Sequence, residues 1–105
     1  MSVLHLTENT FENEVINSDK PVLIDFWASW CMPCRMLSPT IEELGQEVSD
    51  VKIAKINVDE EEQLARMFRV NSIPTLVMVK DGKVVSRSVG VQTKDRILAM
   101  IDENK

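Results

Sequence analysis

Short and nearly continuous apolar runs recur along the chain and predict five β-strands. A run of this kind is typical of a strand that is covered on both faces. Asp81-Gly82, between the last two runs, is a strong signal for a two-residue hairpin, so the fifth strand is predicted to return antiparallel to the fourth. The predicted strands cover residues 3–6, 22–28, 51–58, 75–80 and 84–89.

Helical spacing of apolar residues fills the intervals between these strands. The longest stripe follows the second strand and predicts the longest helix. Its members are Leu37, Ile41, Leu44 and Val48. Pro39 falls inside this helix. Gly45 weakens the helix by about 1 kcal/mol relative to alanine, and the sequence offers no functional account of that glycine.

Three shorter helices are predicted from weaker patterns and from residues that cap helix N-termini. They lie at about 11–16, 64–68 and 93–104, and the last of them is expected to bury Leu98 and Ile101. The predicted caps are Asn9 with Glu12 for the first helix and Asp59 with Glu62 for the second.

The resulting order of elements, βαβαβαββα, defines the expected fold class. Crossover helices between parallel strands, followed by a hairpin, give a mixed sheet with helices on both faces, which is an α/β fold. A chain of 105 residues fits one domain, residues 1–105. No repeat or low-complexity segment interrupts the sequence.

The composition and the N-terminal sequence limit the binding partners and the cellular compartment that can be expected. The net charge of −5 and the scattered basic residues argue against nucleic acid or an anionic membrane as the main partner. The N-terminus lacks the basic and apolar regions of a signal peptide, and the longest apolar run, 75–79, is too short to span a bilayer. A cytoplasmic protein is therefore expected, and in that compartment a permanent structural disulfide is disfavoured.

The two cysteines of the chain, Cys31 and Cys34, follow the second predicted strand and open the longest helix. A helix N-terminus presents free N–H groups and a partial positive charge, which stabilise a thiolate, the nucleophilic form of cysteine. Cys31 is therefore predicted to have a lowered pKa and to be the attacking thiol. Pro33 is tolerated in a first helical turn. Arg35 either adds positive charge to the site or is a solvated helix residue.

A bare C-x-x-C pair also occurs in zinc sites and in structural disulfides. A structural zinc site needs four ligands, and beside its two cysteines the chain offers one histidine, His5, in the first strand. Zinc would thus require a second chain, and His5 is taken as an ordinary strand residue. A structural disulfide that closes so small a loop contributes little stability. Redox chemistry is therefore favoured over both alternatives.

The segment Trp27-Ala28-Ser29-Trp30-Cys31-Met32-Pro33-Cys34-Arg35 is similar to the active-site segment of the thioredoxin family. Other parts of the chain fit the same family pattern, in register and over essentially the whole length. These parts are Asp25-Phe26, Pro39, Asn57-Val58-Asp59, Ser72-Ile73-Pro74-Thr75 and Asp81-Gly82 through Gly90. The resemblance implies a thioredoxin fold, with a five-stranded mixed β-sheet flanked by four α-helices.

The resemblance also implies a function, the reduction of protein disulfides by thiol–disulfide exchange. Cys31 would form a mixed disulfide with the substrate, a buried Cys34 would resolve it, and Pro74 would be cis and lie against the pair. A thioredoxin reductase would return electrons from NADPH. The chain itself is then expected to bind no cofactor or metal and to act as a monomer.

Met32 departs from the family pattern, in which glycine is most often found before Pro33. The two residues between the cysteines tune the reduction potential in this superfamily, so the resemblance does not assign a value to the potential of the Cys31–Cys34 couple. Met32 brings no charge and no hydrogen-bond donor, and a histidine, which would favour an oxidant, is absent from the loop. A reductase is therefore favoured over a dedicated oxidant or isomerase. A non-catalytic subunit of a larger assembly is a further alternative, although both cysteines are present.

Asp25 lies within the second predicted strand, where burial on both faces is expected. Burying a lone carboxylate is unfavourable and raises its pKa. Asp25 is therefore either a proton acceptor and donor for Cys34, as the resemblance also implies, or a strand-end residue turned to solvent. The first is favoured, because aspartate is unfavourable in strands. Lys55 either lies near Asp25 and holds it partly ionised, or belongs to a solvated strand face.

Apolar residues around the cysteines form the predicted substrate surface. Trp30 is expected to be exposed there, in a flat apolar patch that receives the substrate. Trp27 is expected to pack partly in the core, and Met67, Met78 and Met100 are expected to fill the core. The predicted substrate-binding residues are Trp30, Met32, Pro33, Ile73, Pro74, Gly90 and Val91.

Overall fold

The computed structural model describes residues 2–105, and its centre is a mixed five-stranded β-sheet. The strands are β1 (Leu4–His5), β2 (Val22–Trp27), β3 (Lys52–Asn57), β4 (Thr75–Lys80) and β5 (Lys83–Val89). Their order across the sheet is β1-β3-β2-β4-β5. β3 is parallel to both β1 and β2, whereas β4 is antiparallel to both β2 and β5. The predicted strands agree with these bounds to within one residue at either end.

Three α-helices and one π-helical segment flank the sheet. Helix α1 (Met32–Glu47) contains Pro39, as predicted, and α2 (Glu62–Met67) and α3 (Lys94–Asn104) are shorter. The five-residue segment Glu12–Ile16 is a π-helix rather than an α-helix. The expected fold class, a five-stranded mixed sheet with four helical segments, is confirmed. Within residues 2–105, no helix has both the length and the apolar character needed to cross a membrane.

Two apolar cores form on opposite faces of the sheet, because side chains alternate along each strand. Three β2 residues belong to the core beneath the π-helical segment and α2, and they are Val22, Ile24 and Phe26. Leu23 belongs to the second core, beneath α1 and α3. By this alternation Asp25 and Trp27 share the face of Leu23. Two side chains with polar atoms therefore lie on the face that α1 covers.

Left-handed backbone conformations occur in the β4–β5 hairpin and after α2. Asp81 and Gly82 have φ angles of 53° and 75°, which the predicted two-residue hairpin turn requires. Arg69, which follows α2, has a φ of 54°. The Arg87 guanidinium on β5 donates hydrogen bonds to the carbonyl oxygens of Phe68 and Arg69. These bonds tie the end of α2 to the last strand of the sheet.

The predicted cap of Asn9 with Glu12 is wrong. The π-helical segment begins without a side-chain cap. Two threonines organise the preceding turn instead, since the Thr7 N–H donates to Thr10 Oγ1 at 3.0 Å and the Thr10 N–H donates to Thr7 Oγ1 at 3.3 Å. The threonine hydroxyls therefore stabilise the turn before the helical segment, and Asn9 does not act as its cap.

The predicted cap of Asp59 with Glu62 is also wrong. Helix α2 begins at Glu62 after Glu61, and no side chain caps it. The amides of Asp59 and Glu60 donate to Asn57 Oδ1, at 2.9 and 3.4 Å. The asparagine at the end of β3 thus satisfies the amides of the connection, which leaves the Asp59 carboxylate free for another partner.

One methionine and one leucine are placed wrongly by the sequence prediction. Met67 is 56% exposed rather than in the core, because Leu64 is the buried residue of the short α2. On α3, Ile97 joins Ile101 in the core, and Leu98 is only partly buried against it. The other two methionines predicted in the core are buried or partly buried there.

Gly45 lies where α1 passes close to the start of the chain. A Cβ atom at this position would stand 2.7 Å from Val3 Cγ2 and 3.2 Å from the Val3 amide nitrogen. Val3 is buried in the core that α1 covers. The glycine that weakens the helix in isolation therefore allows the N-terminal segment to pack against it.

We expect Gly45→Ala to destabilise the protein by about 1–2 kcal/mol, because overpacking against Val3 outweighs the better helix propensity of alanine. Urea unfolding of the oxidised protein measures the change. The control is the same substitution in a Val3→Ala background, where it should be neutral or stabilising. Equal destabilisation in both backgrounds would contradict the packing explanation.

Candidate active site

Cys31 and Cys34 form a disulfide at the start of α1, with their Cα atoms 5.2 Å apart. Strand β2 ends at Trp27, and the next turn is closed by a hydrogen bond from the Cys31 N–H to the Ala28 carbonyl oxygen at 3.2 Å. Cys31 is the N-cap residue of α1, and Pro33 lies in the first turn. The predicted position of the pair, between the carboxyl end of a central strand and a helix N-terminus, is confirmed.

The two cysteines differ in their contacts more than in their exposure. The Cys34 N–H donates to Cys31 Sγ at 3.2 Å, so the sulfur occupies the place of an N-cap acceptor. The residues are 4% and 2% exposed, respectively, and exposure alone therefore does not separate an attacking from a resolving thiol. The amide contact and the helix dipole both favour negative charge on Cys31 Sγ when the disulfide is reduced.

A cis-proline loop lies against the disulfide. The peptide bond between Ile73 and Pro74 is cis, as the family resemblance implied, and the Ile73 carbonyl oxygen lies 3.7 Å from Cys31 Sγ. The Pro74 carbonyl oxygen accepts a hydrogen bond from the Gly90 N–H at 2.8 Å. Gly90 has a φ of 94°, in the region that favours glycine. These contacts bring the cysteine loop, the proline loop and the residues from Gly90 to Val91 together.

Apolar side chains are exposed around the disulfide. Trp30, Met32 and Val91 are exposed, as predicted, and the half-buried Ile73 lines with Trp30 a shallow cavity of about 160 Å³. Met36 is also exposed and was absent from the predicted surface. Its position four residues after Met32 places both side chains on one face of α1, and this spacing is the signal that could have identified it.

Asp59 holds the Trp30 indole in place. The indole Nε1–H donates to Asp59 Oδ2 at 2.8 Å, and the Asp59 N–H donates to Asn57 Oδ1 at 2.9 Å. Because Asn57 ends β3, the neighbour of β2, the sheet itself fixes the position of the ring. The sequence pattern predicts a helix cap at Asp59 and carries no signal for this contact, because Trp30 lies 29 residues away along the chain.

The Asp25 carboxyl group is buried on the face of β2 that α1 covers, and neither oxygen has a hydrogen-bond partner within residues 2–105. Because burial disfavours the ionised form, it raises the pKa of Asp25 to about 7, even though the positive charge of Lys55 acts in the opposite direction. The alternative in which Asp25 turns to solvent is therefore wrong. A carboxyl group that titrates near neutral pH can both accept and release a proton at that pH.

Lys55 lies directly across from Asp25 in the parallel register of β2 and β3, and it is also buried. Its ammonium donates to Ser38 Oγ at 3.2 Å and lies 4.6 Å from the centre of the Trp27 ring. The alternative of a solvated strand face is wrong. Ser38 was not among the predicted site residues; its position four residues after Cys34, which places both on one face of α1, is the signal that could have identified it.

Arg35 and His5 lie outside the hydrogen-bond network of the site. The Arg35 side chain is exposed and pairs with no acidic group in residues 2–105, which agrees with a solvated helix residue. His5 is exposed on β1. In the part of the chain that the structure describes, no three His, Cys, Asp or Glu residues are grouped so that they could hold a metal ion.

The Cys31–Cys34 pair can take up and return two electrons, because its sulfur atoms interconvert between dithiol and disulfide forms. The molecule is accordingly a thiol–disulfide oxidoreductase. The family model described as Thioredoxin matches residues 2–103, and the chain therefore belongs to the thioredoxin family.

Relatives named thioredoxin align with nearly the whole chain. The thioredoxin of Haemophilus influenzae is 45% identical over 103 residues, which cover 97% of this chain and 96% of the relative. That of Rickettsia bellii is 43% identical over 101 residues, with coverages of 95% and 96%. That of Chlorobaculum thiosulfatiphilum is 48% identical over 99 residues, with coverages of 93% and 92%. With the cysteine pair at disulfide distance, this likeness establishes protein-disulfide reduction as the function.

We expect Asp25→Asn to stabilise the oxidised protein increasingly as the pH rises from about 4 to 8. In the unfolded chain the carboxyl ionises near 3.8, whereas in the folded protein its pKa is about 7. Between these values the folded state holds a proton that the unfolded state has lost, so wild-type stability falls as the pH rises. The Asp25→Asn variant lacks this loss. Over this pH range its free energy of unfolding should exceed that of the wild type by an amount that grows from near zero to about 3–4 kcal/mol.

Urea unfolding at several pH values measures this difference. Asp19→Asn is the matched control, because it removes an exposed carboxylate and should leave the free energy of unfolding unchanged. A stability gain for Asp25→Asn that did not depend on pH would show that the carboxyl group is not titrating in the folded protein.

Proposed function

We propose that Cys31 attacks substrate disulfides and that Cys34 resolves the mixed disulfide. In the reduced protein the Cys31 thiolate attacks one sulfur of the substrate, forms a new disulfide with it and releases the other substrate sulfur, which takes up a proton. Cys34 then gives up its proton and attacks Cys31 Sγ, which releases the second substrate thiol. The substrate gains two electrons and two protons, and the protein returns to its disulfide form.

The observation that carries this assignment is the hydrogen bond from the Cys34 N–H to Cys31 Sγ. An amide that donates to sulfur stabilises the thiolate, which favours Cys31 as the first nucleophile. The same contact makes Cys31 the better leaving group when Cys34 attacks the mixed disulfide. No hydrogen bond to Cys34 Sγ is present within residues 2–105, and this asymmetry supports the assigned order.

Asp25 is the proposed proton acceptor for Cys34. Burial opposes the loss of a proton from Cys34, because a thiolate is disfavoured in apolar surroundings. A carboxyl group with a pKa of about 7 is half-ionised at neutral pH, where a base of this strength acts efficiently. Lys55 is the proposed partner that keeps part of the Asp25 population ionised.

The proposed substrate site is the apolar surface around the disulfide. Trp30, Met32, Pro33 and Val91 form its exposed part, Ile73 and Gly90 are half-buried beside them, and Pro74 is buried beneath the surface. Exposed apolar area next to a reactive bond supports contacts with side chains on either side of a substrate cysteine. None of the seven residues is charged, which favours a broad range of protein disulfides over one charged partner.

Regeneration of the dithiol requires two electrons, which we assign to NADPH acting through a thioredoxin reductase, with no cofactor bound to the chain itself. Residues 1–105 are proposed to act as one domain and as a monomer, in the cytoplasm, on proteins rather than on nucleic acid or membranes. The net charge of −5 supports this choice of partners. Met32 and Pro33 add no charge or donor near the sulfurs, which supports a reducing couple.

The two cysteine variants test the order of attack. Cys34→Ser should accumulate a mixed disulfide through Cys31 when it is mixed with oxidised insulin, because attack without resolution stops at the first exchange. Cys31→Ser should form no adduct, because it lacks the attacking thiol. Mass spectrometry identifies the adducts. The wild-type protein should also reduce insulin continuously with NADPH and a thioredoxin reductase, and either variant should abolish that turnover.

Adducts with Cys31→Ser but not with Cys34→Ser would reverse the two roles. Absence of insulin turnover by the wild-type protein, together with rapid oxidation of reduced substrates, would indicate a dedicated oxidant instead.

The role of Asp25 is tested by the decay of the mixed disulfide in stopped flow. Asp25→Asn should slow this decay by about 10-fold to 100-fold, because Cys34 loses its base, and should leave formation of the mixed disulfide unchanged. Asp19→Asn serves again as the control. Unchanged decay in Asp25→Asn would exclude Asp25 as the proton acceptor.

A further inference from the structure

The Lys55 ammonium is buried beneath α1 and has one hydrogen-bond partner in the part of the chain that the structure describes. It donates to Ser38 Oγ at 3.2 Å and rests over the Trp27 ring, 4.6 Å from the ring centre. A buried ammonium without a partner is strongly unfavourable. The hydroxyl group of Ser38 therefore determines where this charge is located.

A second acceptor, the Asp25 carboxyl group, lies on the neighbouring strand β2, but the Lys55 ammonium does not bind to it. Asp25 lies directly across from Lys55 in the strand register. Among the described residues, however, neither carboxyl oxygen accepts a hydrogen bond, and Asp25 and Lys55 form no direct ion pair. Ser38 holds the charge on the α1 side of the core instead. It also lies one helical turn after Cys34, on the same helix face.

We propose that Ser38 is a positioning residue for the redox reaction: its hydroxyl holds the Lys55 ammonium away from the Asp25 carboxylate and so sets how readily Asp25 exchanges a proton with Cys34. The inference rests on the proton-transfer role proposed for Asp25. It adds to that role a residue on α1 that touches neither the substrate nor the reacting sulfur atoms.

Coulomb attraction explains why this position matters. The interaction between two charges grows as their separation falls, and it is strong where water is excluded. At its present position Lys55 only partly offsets the effect of burial, which leaves the pKa of Asp25 at about 7. A direct ion pair would lower the Asp25 pKa further and make the carboxylate a weaker base at neutral pH.

Few other groups face Asp25 that could produce the same effect. On β4 its register partner is the apolar Leu76, and on β3 it is Lys55 itself. Helix α1, which covers this face of the sheet, carries Cys34 and Ser38, of which the cysteine does not titrate in the oxidised protein because it is disulfide-bonded. In the oxidised protein, the pKa of Asp25 therefore responds mainly to burial and to Lys55.

The direct test is the pKa of Asp25 in the oxidised protein, followed by the carboxyl carbon-13 signal in NMR. Ser38→Ala should lower the midpoint of this titration by about one pH unit, because the released ammonium moves to the carboxylate. Ser38→Thr retains a hydroxyl group and should restore the wild-type midpoint. Thr40→Ala removes a hydroxyl on the same helix that makes no hydrogen bond to any residue the structure describes, and it should leave the midpoint unchanged.

A double-substitution cycle identifies Lys55 as the intermediary. Lys55→Met removes the charge and keeps most of the stem, so the Asp25 midpoint should rise above that of the wild type. In this background Ser38→Ala should have no further effect, because there is no ammonium to release. In the Lys55-containing protein, Ser38→Ala should also slow mixed-disulfide decay at pH 8 by about 3-fold.

An unchanged or raised Asp25 midpoint in Ser38→Ala would overturn the proposal, as would an equal shift with and without Lys55. The titration of Asp25 tests the positioning by Ser38, and the kinetics of mixed-disulfide decay test the proton-transfer role of Asp25, so either claim can be contradicted alone. A lowered midpoint with unchanged decay would retain the positioning by Ser38 and exclude the catalytic role of Asp25, which Asp25→Asn tests independently.

Discussion

The central position of β2 is the constraint on which the site depends. This strand is hydrogen-bonded to parallel β3 on one side and to antiparallel β4 on the other, so the direction of each side chain is fixed from both edges. The parallel register places Lys55 beside Asp25, and the antiparallel register brings Pro74, just before β4, to the end of β2 where Cys31 follows. A slip of one residue would turn Asp25 into the opposite core and remove it from the helix that carries the cysteines.

The same constraint forces an unfavourable group into the core. Asp25 continues the row of Leu23 and Trp27, where an apolar side chain would be more stable, and Lys55 must also lose water to lie opposite it. Two desolvated charges that do not form an ion pair recover little of that cost. The surrounding apolar packing on both faces of β2 offsets it. The paired strands fix the backbone positions of Asp25 and Lys55, and the Ser38 hydroxyl holds the ammonium.

Sequence reasoning succeeded where neighbours along the chain decide the outcome. The runs of β2 and β4 and the stripe of α1 could be predicted closely, because their burial follows from their own periodicity, and Cys31, Cys34 and Asp25 could be found from residue type and local pattern. Ser38 and Asp59 could not, since each acts through a partner that folding brings near, 17 and 29 residues away. The two cap predictions were wrong for a related reason. The threonine hydroxyls and the Asn57 side chain accept hydrogen bonds from amides of the turns before the helices, and within residues 2–105 no side chain caps the π-helical segment or α2.

Strand β5, which forms one edge of the sheet, has a consequence for self-association. Three of its valines are exposed, and they are Val84, Val85 and Val89. An apolar edge with unpaired backbone groups can recruit a second chain and start a fibril. Here Lys83 and Arg87 stand among the valines, and a register shift between Met78 and Val79 on β4 adds local twist. Two copies that met edge to edge would bring like charges together along a twisted ribbon, so this border resists growth into an extended intermolecular sheet.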